Sequence, residues 1–209
     1  MFHSTLRKWL GYIIQPVAKG IAALGITANM LTVVGLLFGI GAGVCIALGR
    51  LKLAGALILI GGSFDLMDGA VARLSKITNP FGALLDSVVD RYSEGAVFVG
   101  LAIYFTTRFP APTEKKITYL ALTCLGLISA FLVSYVRARA EGLKVECKVG
   151  LMQRPERIVL ISLGVLFWDR AVVNVSLLVI ALWILVILSH ITVFQRVAFV
   201  LKEFHGIRA

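Results

Sequence analysis

Apolar residues fall into six runs along this chain, and short polar segments separate them. Four of the five segments contain or adjoin glycine or proline, at Gly49, Pro80, Pro110, Pro112 and Pro155, and these residues favour chain reversal. Runs of this length, with no strict alternation of apolar and polar positions, favour helices over strands. The pattern therefore predicts six helical membrane spans, with approximate bounds Met30–Leu48, Leu53–Phe64, Gly82–Tyr104, Ile117–Val136, Ile158–Trp168 and Val172–Phe194.

The second and fifth runs are too short to cross a bilayer alone, since a span needs about 20 residues. Each of these helices is expected to continue into polar residues that face protein or a water-filled cavity. The extension of the second run contains Asp65, and the extension of the fifth contains Arg154. The pattern thus indicates that both polar segments face protein or a water-filled cavity.

Residues 1–24 differ from the six runs because basic side chains are mixed with aromatic and aliphatic ones there. They lack the long apolar stretch of a secretory signal, and the mixture favours an amphipathic helix lying on the membrane surface. The predicted fold class is an all-α membrane protein with one domain over residues 1–209. A six-helix transmembrane core at residues 30–197 follows the interfacial helix.

Composition supports the membrane interpretation, because 59% of the residues are hydrophobic, 15% are charged and the mean hydropathy is +0.93. The net charge of +10 does not indicate nucleic-acid binding, since the basic residues are scattered between apolar runs. Most of the 21 Lys and Arg residues fall on the side of the N-terminus. The positive-inside rule therefore predicts a cytoplasmic N-terminus, and we expect a prokaryotic cytoplasmic membrane with the polar site facing the cytoplasm. The basic residues on the other side are Arg50, Lys52, Arg108, Lys115, Lys116 and Arg170.

Four aspartates lie close to apolar spans. Asp65 and Asp68 are three residues apart, and Asp86 and Asp90 are four apart, so each pair projects from one face of a helix. Four carboxylates in a partly buried pocket repel one another strongly unless cations compensate them. Oxygen ligands favour Mg²⁺, Mn²⁺ or Ca²⁺, and Mg²⁺ often completes its shell with substrate phosphates. The pattern predicts a divalent-metal site for a diphosphate substrate.

The four aspartates have two alternative interpretations besides a metal site. The aspartates could form a structural ion-pair network with Arg73, Arg91 and Arg137, but ionisable residues at membrane depth are usually functional. They could also form the ion site of a cation carrier. A carrier needs polar residues across the whole membrane, whereas the third run is apolar beyond Glu94. Both alternatives are weaker than the metal site.

The aspartate segment resembles the signature of CDP-alcohol phosphotransferases, D-x2-D-G-x2-A-R-x8-G-x3-D-x3-D. Every fixed position of that signature is filled, by Asp65, Asp68, Gly69, Ala72, Arg73, Gly82, Asp86 and Asp90. The resemblance implies transfer of a phosphatidyl group from CDP-diacylglycerol to a soluble alcohol, two Mg²⁺ ions with Mn²⁺ as an alternative, and a homodimer. It also implies that Asp65, Asp68 and Asp86 are the main metal ligands.

The same resemblance implies that Asp90 deprotonates the acceptor and also contacts a metal, while Asp65, Gly69, Ala72 and Arg73 line the CDP pocket. Upstream, Asn29 and Thr32 lie in a segment similar to the one that precedes the family's first span, although Ala28 stands where a proline is usual. We predict that Asn29 and Thr32 also contact the nucleotide. Helix capping is the alternative role for both.

The acceptor is expected near the end of the fourth run and the start of the fifth. Arg154 and Arg157 flank Pro155 at a predicted helix start, where two arginines can hold an anion. With Arg137 and Arg139 they predict a phosphorylated acceptor, and the alternative is that these charges contact lipid headgroups. The sequence around these arginines resembles that of phosphatidylinositol-phosphate synthases, which implies that the acceptor is inositol 1-phosphate. The alternative acceptor is glycerol 3-phosphate, used by phosphatidylglycerophosphate synthases.

Direct attack of the acceptor on the donor phosphate is the predicted mechanism. A covalent phosphatidyl-enzyme would need an activated nucleophile such as a serine beside a histidine. The three histidines, His3, His190 and His205, are remote from the aspartates in sequence. Direct displacement is therefore favoured.

Overall fold

The computed structural model describes residues 14–74, 80–169, 171–172 and 175–206. Nearly all of these residues are helical, which agrees with the predicted all-α class. The helices are α1 (residues 14–23), α2 (Ala28–Ala47), α3 (Leu51–Leu74), α4 (Pro80–Thr107), α5 (Thr113–Gly142), α6 (Arg154–Leu166) and α7 (Leu177–Phe204). Two short strands, β1 (Ala171–Val172) and β2 (Val175–Ser176), pair antiparallel before α7.

Four of the described helices, α2, α3, α5 and α7, are long and apolar enough to cross a membrane. Helix α4 has 28 residues, but its N-terminal part contains Asp86, Asp90, Arg91 and Glu94. Helix α6 has 13 residues and a length of about 20 Å, less than the roughly 30 Å of bilayer hydrocarbon. These four candidate spans agree with an integral membrane protein, and six membrane spans stay a prediction.

The polar extensions expected of the two short runs are helical. Helix α3 continues through the aspartate segment to Leu74, and α6 begins at Arg154. The predicted sixth span begins too early, since α7 starts at Leu177 and not at Val172. The physical reason is that β-branched valines favour the short strands, and Ser176 caps the helix by accepting a hydrogen bond from the Leu178 N–H.

The N-terminal prediction is tested only over its second half. Residues 14–23 are helical, and Ala18 is fully buried against Leu31, Ala70 and Val71 of α2 and α3. The rest of the predicted interfacial helix, residues 1–13, lies outside the described residues. Its position on a membrane surface stays a prediction.

Helices α2 and α4 approach each other closely because small residues line their contact. A Cβ at Gly43 would overlap the Ala96 carbonyl, and a Cβ at Gly100 would overlap the carbonyl of Gly43. At Gly39 a Cβ would lie 2.7 Å from the Ser93 Cβ. Close packing of this kind is how helices associate in lipid, where the solvent supplies no hydrophobic drive. It fixes α4, which carries two of the four aspartates, against α2.

The buried core contains residues from each of the helices α2 to α7, among them Ile46, Leu101, Val165 and Leu182. Large apolar side chains also cover the outside of the bundle, and Phe194 is 71% exposed. A soluble protein rarely exposes so much apolar surface, whereas lipid solvates it well. The distribution agrees with an integral membrane protein.

An aromatic cluster closes the bundle at the far end of α4. Phe105 and Phe109 pack against Tyr119 of α5 and against Tyr104, and Trp168 meets Tyr104 edge-on. Most of the ring pairs in this cluster are tilted or T-shaped, with centroids 5.1 to 6.4 Å apart, as the charge distribution of aromatic rings favours. Asp90 lies 14 residues earlier on α4, which corresponds to about 21 Å along the helix axis. The aspartates and the aromatic cluster therefore occupy opposite ends.

Candidate metal and substrate site

Three of the four aspartates form a compact cluster. Asp65 and Asp68 project from α3, and Asp86 projects from the first turns of α4. One oxygen from each of the three lies within 4.8 Å of the others. The Asp86 Oδ1 atom is buried and has no hydrogen-bond partner within the described residues. Clustered anionic oxygens, one of them unsatisfied, fit a divalent cation with oxygen ligands.

Thr32 of α2 completes this cluster from the side. Its hydroxyl donates to Asp68 Oδ2 at 2.7 Å, and Asp68 is only 5% exposed. A hydrogen bond of this type orients a ligating carboxylate. Thr32 does not cap α2, because Thr27 does, and Asn29 lies one turn before Thr32 in a partly exposed position. The nucleotide contacts expected of Asn29 and Thr32 stay predictions.

Asp90 lies apart from the three clustered aspartates and faces arginines. It is 7% exposed, it forms an ion pair with Arg154, and its Oδ2 lies 3.6 Å from Arg91 Nη2. Arg154 forms a second ion pair, with Asp65, and so bridges the two aspartate pairs. Opposite charges at this distance offset much of the repulsion between the carboxylates. Arg154 thus links the metal ligands to the neighbouring cleft.

The residues expected at the CDP pocket follow the cluster along α3. Gly69 comes directly after Asp68, and a Cβ at Gly69 would lie 3.5 Å from Arg73 Nη1. Ala72 and Arg73 are exposed on the last turns of α3. Backbone without a Cβ beside an exposed guanidinium is suited to an approaching phosphate. These positions share one surface next to the carboxylates.

A cleft of about 640 Å³ opens beside Asp86 and Asp90, between α4, α5, α6 and α7. Its walls are strongly basic, since Arg91, Arg137, Arg154 and Arg196 all line it. Neutral polar groups, among them Ser134, Tyr135 and Gln153, complete the wall. A cavity of this size and charge suits a small, anionic, hydroxylated molecule.

The four arginines predicted for the acceptor separate into three environments. Arg137 and Arg154 line the cleft, and Arg137 also bonds to Glu141 at 2.9 Å. Arg139 is exposed on α5 and is not among the residues that line the cleft. Arg157 also borders the cleft, but its side chain is 1% exposed and is bonded to Glu94. The structure therefore brings two of the four to the open surface of the cleft.

Two arginines of the cleft were not predicted as site residues. Arg196 of α7 donates from Nε to the Val149 carbonyl at 2.9 Å and from Nη1 to the Val133 carbonyl. Arg91 has two buried nitrogens, Nε and Nη1, without a partner within the described residues. A lone arginine in the apolar C-terminal helix was the available signal for Arg196. For Arg91 the signal was its position directly after Asp90.

Comparison with known families decides the class. Residues 25–199 match the family described as CDP-alcohol phosphatidyltransferase. The chain belongs to this family. Family membership agrees with the signature in α3 and α4 and identifies the chain as a transferase, against the cation carrier considered above.

Curated relatives cover nearly the whole chain. The archaetidylinositol phosphate synthase of Methanothermobacter thermautotrophicus is 36% identical over 90% of this chain and 88% of that protein. The phosphatidylinositol phosphate synthase of Mycobacteroides abscessus is 32% identical over 91% of this chain and 84% of that protein. The names of these two relatives specify different lipid groups, archaetidyl and phosphatidyl, but both names contain inositol phosphate.

Solved structures of the Mycobacterium tuberculosis phosphatidylinositol phosphate synthase have the same fold. The complex with CDP-DAG has a TM-score of 0.77 and 29% identity, over 90% of this chain and 94% of that chain. The complex with manganese and citrate has a TM-score of 0.77 and 28% identity, over 90% and 89%. The chain therefore shares both sequence and architecture with this branch of the family.

Proposed function

We propose that this enzyme transfers a phosphatidyl group from CDP-diacylglycerol to inositol 1-phosphate, giving phosphatidylinositol phosphate and CMP. The observation that carries the proposal is the contact between two dissimilar regions. The three clustered aspartates suit a diphosphate held through metal, and the adjoining cleft is lined with arginine. A diphosphate donor and a phosphorylated acceptor can meet where Asp90 lies between them.

Two Mg²⁺ ions, or Mn²⁺ in their place, would be held by Asp65, Asp68 and Asp86, with Asp90 at the edge of the second ion. Such ions neutralise the diphosphate and the departing oxygen. The manganese complex of the M. tuberculosis protein supports a divalent metal as the cofactor. The protein contributes the fixed carboxylates and the Thr32 hydroxyl that orients Asp68.

The cytidine end of the donor is placed by the surface after Asp68. Gly69 and Ala72 leave room for the nucleotide, and Arg73 donates to its phosphates, with Asn29 beside them on α2. The CDP-DAG complex of the structural relative supports this donor. The diacylglycerol tails would lie against the apolar outer surface of the bundle, so the diphosphate reaches the carboxylates from the membrane side.

The acceptor phosphate would be bound by arginines of the cleft. Arg154 and Arg137 were predicted for this role, and Arg91 and Arg196 line the same cavity. Guanidinium groups donate two parallel hydrogen bonds to a phosphate, which fixes the acceptor's orientation as well as its position. Arg139 lies outside this cavity and would attract the acceptor phosphate only through its positive charge at a distance.

The reaction is a direct displacement at the phosphorus that carries diacylglycerol. The acceptor hydroxyl oxygen forms the new P–O bond, the bond to the CMP oxygen breaks, and Asp90 accepts the hydroxyl proton. Arg154 and Arg91 hold the Asp90 carboxylate at the boundary between donor and acceptor. This arrangement supplies proximity and a base, each of which accelerates transfer.

The donor lipid and the acceptor each have a second candidate. The relative from M. thermautotrophicus carries an archaetidyl name, which favours a CDP-activated archaetidyl lipid as the second donor. Glycerol 3-phosphate is the second acceptor, because the same arginines would bind its phosphate. The shared inositol phosphate in the names of the relatives favours inositol 1-phosphate.

The proposal extends to the setting of the enzyme. The basic asymmetry of the sequence supports a site that faces the cytoplasm, with the whole chain forming one domain and residues 1–24 lying at the membrane surface. The family resemblance supports a homodimer. A cross-linking experiment in native membranes tests the dimer, and a cysteine-accessibility assay at Arg73→Cys tests the orientation.

One assay tests the proposed function. Purified protein in detergent is incubated with Mg²⁺, either CDP-diacylglycerol or the archaetidyl donor, and one acceptor at a time, and CMP release is measured. We expect release with inositol 1-phosphate and little with glycerol 3-phosphate, serine or free inositol. Equal release with free inositol would contradict the phosphate-binding role of the cleft, and release only with glycerol 3-phosphate would select the second acceptor.

A further inference from the structure

A buried ion pair lies directly behind the metal and substrate site. Arg157 Nε donates to Glu94 Oε1 at 2.7 Å, and Nη2 donates to Oε2 at 3.1 Å. The Arg157 side chain is 1% exposed and that of Glu94 is 13% exposed. Two parallel hydrogen bonds between charged groups define one relative orientation of the two side chains. Neither the signature nor the relatives assign a role to this pair.

The buried pair continues a ladder that begins in the site. Asp90 and Glu94 are four residues apart on α4, and Arg154 and Arg157 are three apart on α6, so each helix presents its two charges on one face. The outer rung is the ion pair of Asp90 with Arg154, and the inner rung is the pair of Glu94 with Arg157. The ladder connects α4 to α6 at the end where the chemistry is proposed.

Apolar packing does not make this connection. Helix α6 packs mainly against α3 and α7. A small pocket of about 70 Å³, bounded by α2, α3, α4, α6 and α7, is lined by both rungs of the ladder, which are Asp90, Glu94, Arg154 and Arg157. The N-cap residue of α6, Gln153, makes no side-chain capping bond. The position of the α6 start relative to α4 therefore depends on the two rungs.

In this arrangement Arg157 directs most of its N–H donors at protein atoms. Nε and Nη2 are both bonded to Glu94, and Nη1 donates to the Met152 carbonyl at 3.5 Å, in the turn that precedes α6. All three nitrogens thus hold protein atoms. The guanidinium connects α4 to the segment that leads into Arg154.

Energetic considerations point to orientation as the contribution of the pair. A buried ion pair often adds little stability over an apolar pair of similar volume, because desolvation offsets the attraction. We propose that Glu94 and Arg157 are positioning residues, which set α6 against α4 and so hold the Arg154 guanidinium between Asp65 and Asp90. The kinetic part of the test rests on the proposed reaction, and the Mn²⁺ part rests only on the metal site at the clustered aspartates.

The test uses two variants of the Glu94–Arg157 pair, one that keeps both charges and one that removes them. Arg157→Lys keeps the charge but cannot form two parallel bonds, and Glu94→Leu with Arg157→Met replaces the pair by apolar side chains. Asp169→Asn is the control, because it removes an exposed ion pair with Lys52 (3.3 Å) in the loop after α6, at the other end of the bundle. Thermal unfolding is measured first, and the apolar double variant is expected to melt within a few degrees of the wild type.

The first readout is Mn²⁺ affinity, measured by electron paramagnetic resonance without any substrate. Arg154 shares Asp65 with the proposed metal, so Arg154→Gln is expected to strengthen Mn²⁺ binding by about tenfold through loss of a competing cation. Arg157→Lys and the apolar double variant should shift affinity in the same direction. Added to Arg154→Gln, either change should have an effect smaller than about twofold, because neighbours in one network are not additive.

The second readout is acceptor kinetics. Both pair variants are expected to lower kcat/KM for inositol 1-phosphate by about tenfold or more while KM for CDP-diacylglycerol changes little. Wild-type values for Mn²⁺ affinity and kcat/KM in folded Arg157→Lys would overturn the proposal, as would effects that add fully to those of Arg154→Gln. Unfolding of both pair variants would also overturn it, because the pair would then be a folding requirement. Absence of CMP release by the wild type would instead contradict the proposed function and leave the Mn²⁺ result valid.

Discussion

The two ends of α4 differ in chemistry, because one is charged and the other is aromatic. At one end Asp86, Asp90 and Arg91 lie in or beside buried positions and face charges from three other helices. At the other end Tyr104 and Phe105 lie in a cluster of rings that contains no charged side chain among the residues that the structure describes. Charged groups brought together with little water favour ligand binding and cost stability, whereas packed rings favour stability. The comparison separates residues expected to affect turnover from residues expected to affect folding.

Removal of metal gives the largest expected effect at the charged end. EDTA should abolish CMP release, and Mg²⁺ or Mn²⁺ should restore it, because Asp65, Asp68 and Asp86 repel a diphosphate unless cations lie between them. CMP release is measured before and after dialysis. Turnover that continues at full rate in chelator would remove the metal from the mechanism.

Phe105→Ala is the strongest change expected at the aromatic end. The fully buried ring contacts Tyr104, Phe109 and Tyr119, and its loss should lower the free energy of unfolding by about 3–5 kcal/mol. Specific activity of the protein that remains folded should change little. Phe194→Ala is the matched control, since that ring is 71% exposed and should cost far less stability. Equal destabilisation by both changes would contradict the packing role of the cluster.

Asp90→Asn tests the charged end again, through the proposed base. The amide keeps the shape of the carboxylate but accepts no proton, so kcat should fall by roughly 10²-fold or more while CDP-diacylglycerol still binds. The same replacement at Asp169, in the exposed loop after α6, serves as the control and should leave kcat unchanged. Near-wild-type kcat in Asp90→Asn would exclude Asp90 as the base.

Arg154→Ala is expected to act mainly on the acceptor. Loss of its charge-assisted hydrogen bonds to the phosphate should raise KM for inositol 1-phosphate by roughly 10- to 150-fold, or about 1.5–3 kcal/mol. Arg154→Lys should recover part of this loss. Lys148→Ala, in the exposed loop before α6, is the control for general headgroup attraction. An unaltered acceptor KM in folded Arg154→Ala would mean that the acceptor phosphate binds elsewhere.

Short-range spacing explains why the carboxylate site could be predicted from the sequence. Asp65 and Asp68 share a helix face by their separation alone, and the brief connection to α4 brings Asp86 beside them. The helical class followed from the apolar runs in the same way. By contrast, strands β1 and β2 have two residues each, too few to give a periodic pattern in the sequence. The last helix was therefore predicted to start at Val172, whereas it starts at Leu177.

Long-range pairing explains what could not be predicted. Glu94 and Arg157 are 63 residues apart, and Thr32 and Asp68 are 36 apart, so no local pattern connects them. Arg157 was grouped with Arg154 because both lie at one helix start, yet one helical turn suffices to bury one guanidinium and leave the other at the cleft. Helical spacing predicts a shared face, and the neighbouring helix decides which charge it pairs with.

The contact between Gly43 and Gly100 has an evolutionary consequence. Because a single methyl group at either position would strike backbone, α2 and α4 cannot drift apart gradually through substitutions of increasing size. Homologous chains should accept alanine at one of these sites only together with a shift of the whole helix. A saturation library scored for growth would therefore show two positions as intolerant as the aspartates, although neither meets any substrate.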